Sequence, residues 1–560
     1  MKILYTGVIL LLLTGAVVDV HERPSPAWRT YAGGPHRLFF NSTERTITAE
    51  NVHQLQVKWT FPTGAVVTAS PSIARLHIPG EGRIPIVFVQ SWDGFLYAIR
   101  LYEGTELWRF PTKPQPGASY PQAGSVEIRR FNGQPRLFFA AGETVYALNA
   151  LTGEEIWHFD AGTGCNDPPG LCGLEGERNE VESSPIVADG LVFFGMDVDD
   201  QEGGKGGFYA VDARDGRLVW FFDLETGSTC RPLPEDDIRR FDGYHSEAEL
   251  GLPTGFLASR PGCDFDRTPT GCGNVWSSAA IDTLRRLLFF ASSNCDTDED
   301  PATLKPPPPM PPFDEALVAL HFDGTPAWRW RPREVDNDNL AFGATPNLFQ
   351  IEIDGMRRDV VGVGNKDGTY YVLDREGVNV RTGVRWDDAN PVALPYWSTQ
   401  VVPGGNPGGI IATAAVDAQA GRIYVSTAPG SLDPFTPQRP TVHALDKNTG
   451  AILWQNTLEV NADASFAPTS ATPEVVFAGS IVDGALRAYD ATTGVKLASV
   501  RLGFAVASAP AIVDGIVVVG AGVGDRSMPG SPGDLASRVP QNITALCIPG
   551  TWLCQDTGDE

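Results

Sequence analysis

Five times along this chain a glycine is followed, four residues later, by a tryptophan. The pairs are Gly104/Trp108, Gly153/Trp157, Gly216/Trp220, Gly324/Trp328 and Gly450/Trp454. Each closes a similar phrase: "YAIRLYEGTELW" at 97–108, "VYALNALTGEEIW" at 145–157, "YAVDARDGRLVW" at 209–220, "VALHFDGTPAW" at 318–328 and "VHALDKNTGAILW" at 442–454. Five copies imply a repeated structural unit: a strand, a glycine turn, and a second strand ending in tryptophan. The broad indoles suit the joints between neighbouring units, where each buries a large apolar plate.

At 560 residues the chain is long for one core. A ring of repeats escapes that limit, because each unit packs only against its neighbours. Final strands ending near tryptophan give Trp59, Trp108, Trp157, Trp220, Trp328, Trp386, Trp454 and then Ala498, where an eighth is expected. Alternating runs such as "RIPIVFVQS" (83–91), "RLLFFASS" (286–293) and "GIVVVGAG" (515–522) lie between them. Each unit therefore reads as four short antiparallel strands, the signature of a propeller blade. The last unit supplies "ITALCI" (543–548) without a closing strand, while "LQVKWTF" (55–61) is an orphan strand. Joining the two closes the ring and hides both sheet edges. The expected fold is all-β: an eight-bladed β-propeller of four-stranded antiparallel blades, closed by the N-terminal strand. The expected organisation is a signal peptide at 1–19, an extension at 20–50, the propeller at 51–548 and a tail at 549–560. Insertions are expected at 225–275, 301–313 (proline-rich), 386–410 and 524–541.

A net charge of −25 argues against nucleic acid or an anionic membrane as the main partner. The opening "MKILYTGVILLLLTGAVVDV" reads as an export signal, with Lys2 before an apolar run that ends near Val18. It is too short for a stable span, and no later run is apolar enough to cross a bilayer. The expected location is periplasmic or secreted, with no stable membrane span after cleavage; an uncleaved anchor is the alternative. Eight cysteines suit an oxidising compartment. Cys165/Cys172, Cys263/Cys272 and Cys547/Cys554 are close enough to close small loops, leaving Cys230 and Cys295. No Cys-x-x-Cys-His is present, which sets covalent c-type haem aside.

The repeat, Ala-x-Asp-x-x-Thr-Gly-x-x-x-Trp in idealised form, resembles that of the pyrroloquinoline quinone (PQQ) repeat proteins over essentially the whole mature chain. Eight-bladed relatives in that family include alcohol dehydrogenases that use PQQ with calcium, the similar polyvinyl alcohol dehydrogenases, and an outer-membrane assembly factor without a cofactor. A shared fold leaves the chemistry open, so individual positions must decide.

The stretch "NVWSSAAIDTLRRLLFFASSN" (274–294) is similar to one carrying a quinone-stacking tryptophan and a metal-binding asparagine, matched by Trp276 and Asn294. Trp276 also stands outside the spaced tryptophan series. "GNKDGTYYVLDREG" (364–377) resembles a segment whose cation contacts the quinone oxygens, matched by Lys366. "FFGMDVDDQEGGKGGFYAVD" (193–212) matches a segment with a carboxylate on calcium; Asp200 aligns best, with Asp197, Asp199 and Glu202 nearby. Hard Ca²⁺ favours such oxygens. The resemblance implies a catalytic aspartate in "RPREVDNDNLAFGATPNLF" (331–349), either Asp338 or Asp336, with Asp338 also a metal ligand. Here the chain departs from the pattern: the usual neighbouring tryptophan is missing, and strict register puts Asn339 or Ala341 opposite the expected acids. There is also no adjacent cysteine pair.

Two functions follow. The resemblance implies an exported dehydrogenase with PQQ and Ca²⁺ and no haem. It would oxidise small or polymeric alcohols and pass electrons to an external acceptor such as a cytochrome. The alternative is a cofactor-free propeller that binds proteins or polymers, mildly favoured by the proline-rich insertion. The export reading predicts a mature chain beginning near residues 17–22. N-terminal sequencing that finds intact Met1 on exported protein would reject cleavage.

Overall fold

The computed structural model describes residues 28–113, 118–161, 180–198, 206–231, 272–293, 312–333, 338–378, 383, 395–432, 440–456, 465–503, 505–526 and 530–554. These form eight antiparallel sheets, seven of four strands and one, in the third blade, of five. Blades 1–7 each follow chain order from an innermost to an outermost strand. Blade 8 takes three strands from 511–547, and the N-terminal strand Gln56–Thr63 pairs antiparallel with Gln541–Cys547 to complete it. The expected closure is the observed one, and both sheet edges vanish into one blade.

The repeated glycine and tryptophan turn out to be partners across blades rather than within one. Trp59 lies on Gly104, Trp108 on Gly153, Trp157 on Gly216, Trp220 on Gly324, Trp328 on Gly377, Trp397 on Gly450 and Trp454 on Gly494. A Cβ on any of these glycines would come within 2.4–2.8 Å of the neighbouring indole. All seven have φ between +68° and +86°, which glycine adopts at least cost. Each indole also donates Nε1–H to a carbonyl in the next blade's turn, from Trp59 to Leu101 at 2.7 Å through Trp108 to Ala150 at 3.3 Å. Trp397, in the outer strand Trp397–Gln400, fills the sixth position that the sequence reading gave to Trp386. Trp386 itself lies outside the described residues. The turn of blade 5 is lengthened between Gly377 and Trp397, so the four-residue spacing is lost while the contact is kept.

The eighth joint has no tryptophan. There Ile47, Val52 and Leu55, from the segment before the closing strand, pack with Leu497, Ala498 and Val500 of blade 7 and with Ile512 and Val517 of blade 8. Glu44 fixes that segment by accepting N–H bonds from Thr46 at 2.7 Å and Gly515 at 2.9 Å. The Cys547–Cys554 disulfide closes the loop after the third strand of blade 8. Cys272 is also disulfide-bonded, to a partner outside the described residues, where Cys165 and Cys172 also lie.

Two layers cross the axis. The upper is a belt of hydroxyls leading into the innermost strands. The Ser125 amide donates to Ser184 Oγ, Ser184 to Ser278, Ser278 to Thr345 and Thr345 to Thr413, at 2.8–3.2 Å. The lower is residues 28–41, which bond to the innermost strands of seven blades. Trp28 pairs with Ile73, and the carbonyls of Arg29, Pro35, His36, Leu38 and Phe39 accept from Ile128, Ile281, Leu348, Val416 and Ala471. Asn41 Nδ2 donates to Ile512 O at 2.9 Å. This segment closes the end of the channel on the side of the turns joining first and second strands.

The joint gives a matched test. Gly153→Ala should cost about 2–4 kcal/mol, left-handed strain plus overpacking against Trp108. Gly133→Ala, at φ +81° with open space around it, should cost only about 1 kcal/mol. Equal losses in denaturant midpoints would remove the inter-blade contact from the account.

Candidate active site

The chain segments that lead into innermost strands, and those linking second to third strands, gather at the mouth opposite residues 28–41. Trp276 precedes the innermost strand Ala280–Asp282 of blade 4. Asp338 and Asn339 precede Asn347–Ile353, the innermost strand of blade 5, and Lys366 follows its second strand, Met356–Gly364.

Direct contacts join these pieces. The half-buried Trp276 indole crosses from blade 4 onto Gly343, where a Cβ would lie 2.2 Å from the ring. Lys366 is buried, and its Nζ donates to Asn339 Oδ1 at 2.6 Å. Its amide donates to Ala341 O at 3.3 Å. Asn339 has φ +54°, a conformation asparagine tolerates better than most residues. Arg333 straps the two sides together, donating to Leu340 O at 2.8 Å and to Asn365 Oδ1 at 3.3 Å while pairing with Asp367. Tyr371 donates its hydroxyl to the same Asp367 at 2.7 Å. Burial, and then the Asp367 charge, raise the Tyr371 pKa, so it stays a donor at neutral pH. On the blade 4 side, fully buried Asp314 accepts the Gly273 amide at 2.9 Å and so anchors the run leading to Trp276. Burial, reinforced by Glu225, pushes its carboxyl well above the usual range.

Trp276, Lys366 and Asp338 therefore share one mouth. The Asp338 side chain is exposed, and its neighbour Asn339 accepts a hydrogen bond from Lys366 Nζ. Asp200, Asn294 and Asp336 lie outside the described residues, as do Asp199 and Glu202; Asp197 is buried and pairs through its backbone with Glu180. Among the described residues no group of three or more His, Cys, Asp or Glu could hold a metal ion. The arrangement fits a flat, oxygen-rich ligand on two counts. A half-buried aromatic plate stands near a buried cation, and Asn365 Nδ2 is a buried donor with no hydrogen-bond partner among the described residues. Sequence reasoning missed Arg333 and Asn365, although both stand within a few residues of positions it singled out.

Asn339 can be tested by stability. Asn339→Asp keeps an acceptor for Lys366 and should cost less than about 1 kcal/mol. Asn339→Ala loses a charge-assisted bond and adds left-handed strain, together about 2–4 kcal/mol. Indistinguishable unfolding of the two variants would refute the bond.

Residues 28–384 match the beta-propeller domain of the glucose/ethanol/alcohol dehydrogenases, and residues 395–542 match the outer membrane protein assembly factor BamB. The chain is 25% identical to a polyvinylalcohol dehydrogenase of Pseudomonas sp., over 90% of its own length and 74% of the relative's. It is 22% identical to lupanine 17-hydroxylase [cytochrome c] of Pseudomonas sp., over 98% and 82%. Its fold superposes on quinohemoprotein alcohol dehydrogenase from Comamonas testosteroni with a TM-score of 0.62 at 20% identity, covering 95% of this chain and 82% of that one. With more than half its length matched to that one domain, the chain belongs to the PQQ beta-propeller family of glucose, ethanol and alcohol dehydrogenases.

Proposed function

We propose that this protein is an exported quinoprotein dehydrogenase that oxidises alcohol groups, with PQQ seated on Trp276 and a metal ion beside it. The observation that supports the reading is that the half-buried Trp276 plate rests on Gly343 while buried Lys366 bonds Asn339 and Ala341 of the same segment. The names of the relatives support the class: one dehydrogenates a polymeric alcohol and another is paired with cytochrome c.

The quinone, when bound, supplies the two-electron acceptor for the alcohol. The chain supplies the setting. Trp276 fixes the plane of the ligand, and Lys366, held by Asn339, places positive charge at its edge, favouring oxygen that gains negative charge. Asp338, with Asp336 as the alternative, takes the hydroxyl proton at the same mouth. Asp200, Asn294 and Asp338 are the proposed metal ligands; their oxygens suit a hard cation such as Ca²⁺. Electrons leave to an external carrier such as a cytochrome, and no covalent haem is assigned because the chain has no c-type motif. The second reading, a cofactor-free binding propeller of the cell envelope, is favoured by the match of residues 395–542 to an assembly factor.

Purified protein given PQQ and Ca²⁺ should melt at a higher temperature through ligand linkage. It should also oxidise small or polymeric alcohols with an artificial dye as acceptor. Asp338→Asn should lower that rate by at least about 100-fold while sparing PQQ binding. Folded protein with neither stabilisation nor oxidation would favour the binding propeller.

A further inference from the structure

One layer beneath Trp276 lies a buried cation, over the Tyr31 ring at 5.6 Å and with no ion pair among the described residues. Arg37, in the segment that closes the far mouth, is fully buried. Its Nε donates to Ala279 O at 2.7 Å, and its Nη1 to Thr30 Oγ1 and Tyr31 O, each at 2.8 Å. All three acceptors are neutral. Its Nη2 has no hydrogen-bond partner among the described residues. Glu127 is the charge that attracts it most; Arg129 bonds only its Oε1, and its buried Oε2 has no hydrogen-bond partner among the described residues. Burial lowers the Arg37 pKa only to about 10, so the guanidinium stays charged at neutral pH. Ala32, Arg37 and Phe39 also hold left-handed backbone at φ +60°, +59° and +45°. Strain of that kind persists only where surrounding structure enforces it.

Register places the Arg37 contact three residues along the chain from the aromatic plate. The belt hydroxyls of Ser278 and Thr345 stand two residues after Trp276 and Gly343, which touch each other. Arg37 bonds one residue past the belt, at Ala279, and Tyr31 bonds the belt itself through Thr413 Oγ1 at 2.9 Å. Trp276 and Ala279 are three residues apart, a span of at most about 11 Å. A buried cation that no carboxylate bonds directly is costly, and an anion in the layer above would offset that cost.

We infer that Arg37 is the electrostatic floor of the site, a fixed positive charge that selects a flat polyanion over a neutral aromatic ligand at Trp276. This rests on the PQQ reading, since PQQ is a planar quinone with three carboxyl groups. Were the charges separated by about 10 Å, Coulomb's law at an effective dielectric near 20 would give on the order of tenfold in affinity per unit of ligand charge.

The test is a binding cycle followed by tryptophan fluorescence, with calcium present throughout. PQQ and its trimethyl ester would each be titrated into wild type, Arg37→Met and Arg37→Lys. Arg37→Met should weaken PQQ at least tenfold and the neutral ester less than threefold, while Arg37→Lys stays within about threefold for both. Because Arg37→Met removes a buried group and could fail to fold, Glu127→Gln provides the opposite sign. Removing that nearby negative charge should tighten PQQ and leave the ester unchanged, which a purely structural role would not do. Equal PQQ affinity for wild type and Arg37→Met, equal losses for acid and ester, or no tightening in Glu127→Gln would overturn the inference and leave the PQQ reading standing. A wild type that binds neither compound would overturn both.

Discussion

The ring depends on one contact made seven times: an indole of one blade laid flat on a glycine of the next. Only a residue without Cβ lets the ring approach that closely, and only a left-handed turn offers the glycine at the right angle. The indole N–H then finds a carbonyl in the same turn, so a large apolar plate is buried with its polar atom satisfied. Because the contact runs between blades, each joint fixes the angle of the next sheet, and the eighth joint inherits whatever angle remains. There the chain uses a different device, a short apolar segment tied down by Glu44, next to the strand that completes the last blade.

Closing the ring sets up the site. Strand ends from blades 4 and 5 are brought within contact, so that Trp276 reaches Gly343 and Lys366 reaches Asn339. Below them the hydroxyl belt ties successive blades together, and residues 28–41 seal the axis against the far mouth. One end of the chain thus contributes both the plug and the closing strand. The site rests on a floor that is itself bonded to seven blades, which restricts movement of the groups above it.

Much of this was legible in the sequence, because repeats announce themselves. The phrase ending in tryptophan marked the repeat and its strand order, and the orphan strand at 55–61 beside the unclosed run at 543–548 marked the closure. The error at Trp386 arose from reading a between-blade contact as a within-blade spacing. That spacing depends on hairpin length, and the blade 5 hairpin is extended, so Trp397 was passed over. The plug was not legible at all. Residues 28–41 have no period, and their partners are spread from Ile73 to Ile512. The site was half legible. Trp276 and Lys366 stood out by family resemblance, whereas Arg37, Arg333 and Asn365 matter through neighbours distant in sequence or through a polar atom left over after packing. Asn339 was visible as a departure from the expected acid, but its bond to Lys366 depends on a backbone twist that residue type alone does not reveal.

On the proposed function, one mouth of the ring receives a flat quinone on Trp276. Crystallography of the protein grown with PQQ and Ca²⁺ addresses it most directly. Tricyclic density stacked on the Trp276 indole is expected, with the Lys366 ammonium within hydrogen-bond reach of its edge. Density for PQQ anywhere else on the ring, or a mouth without it at saturating ligand, would contradict the account.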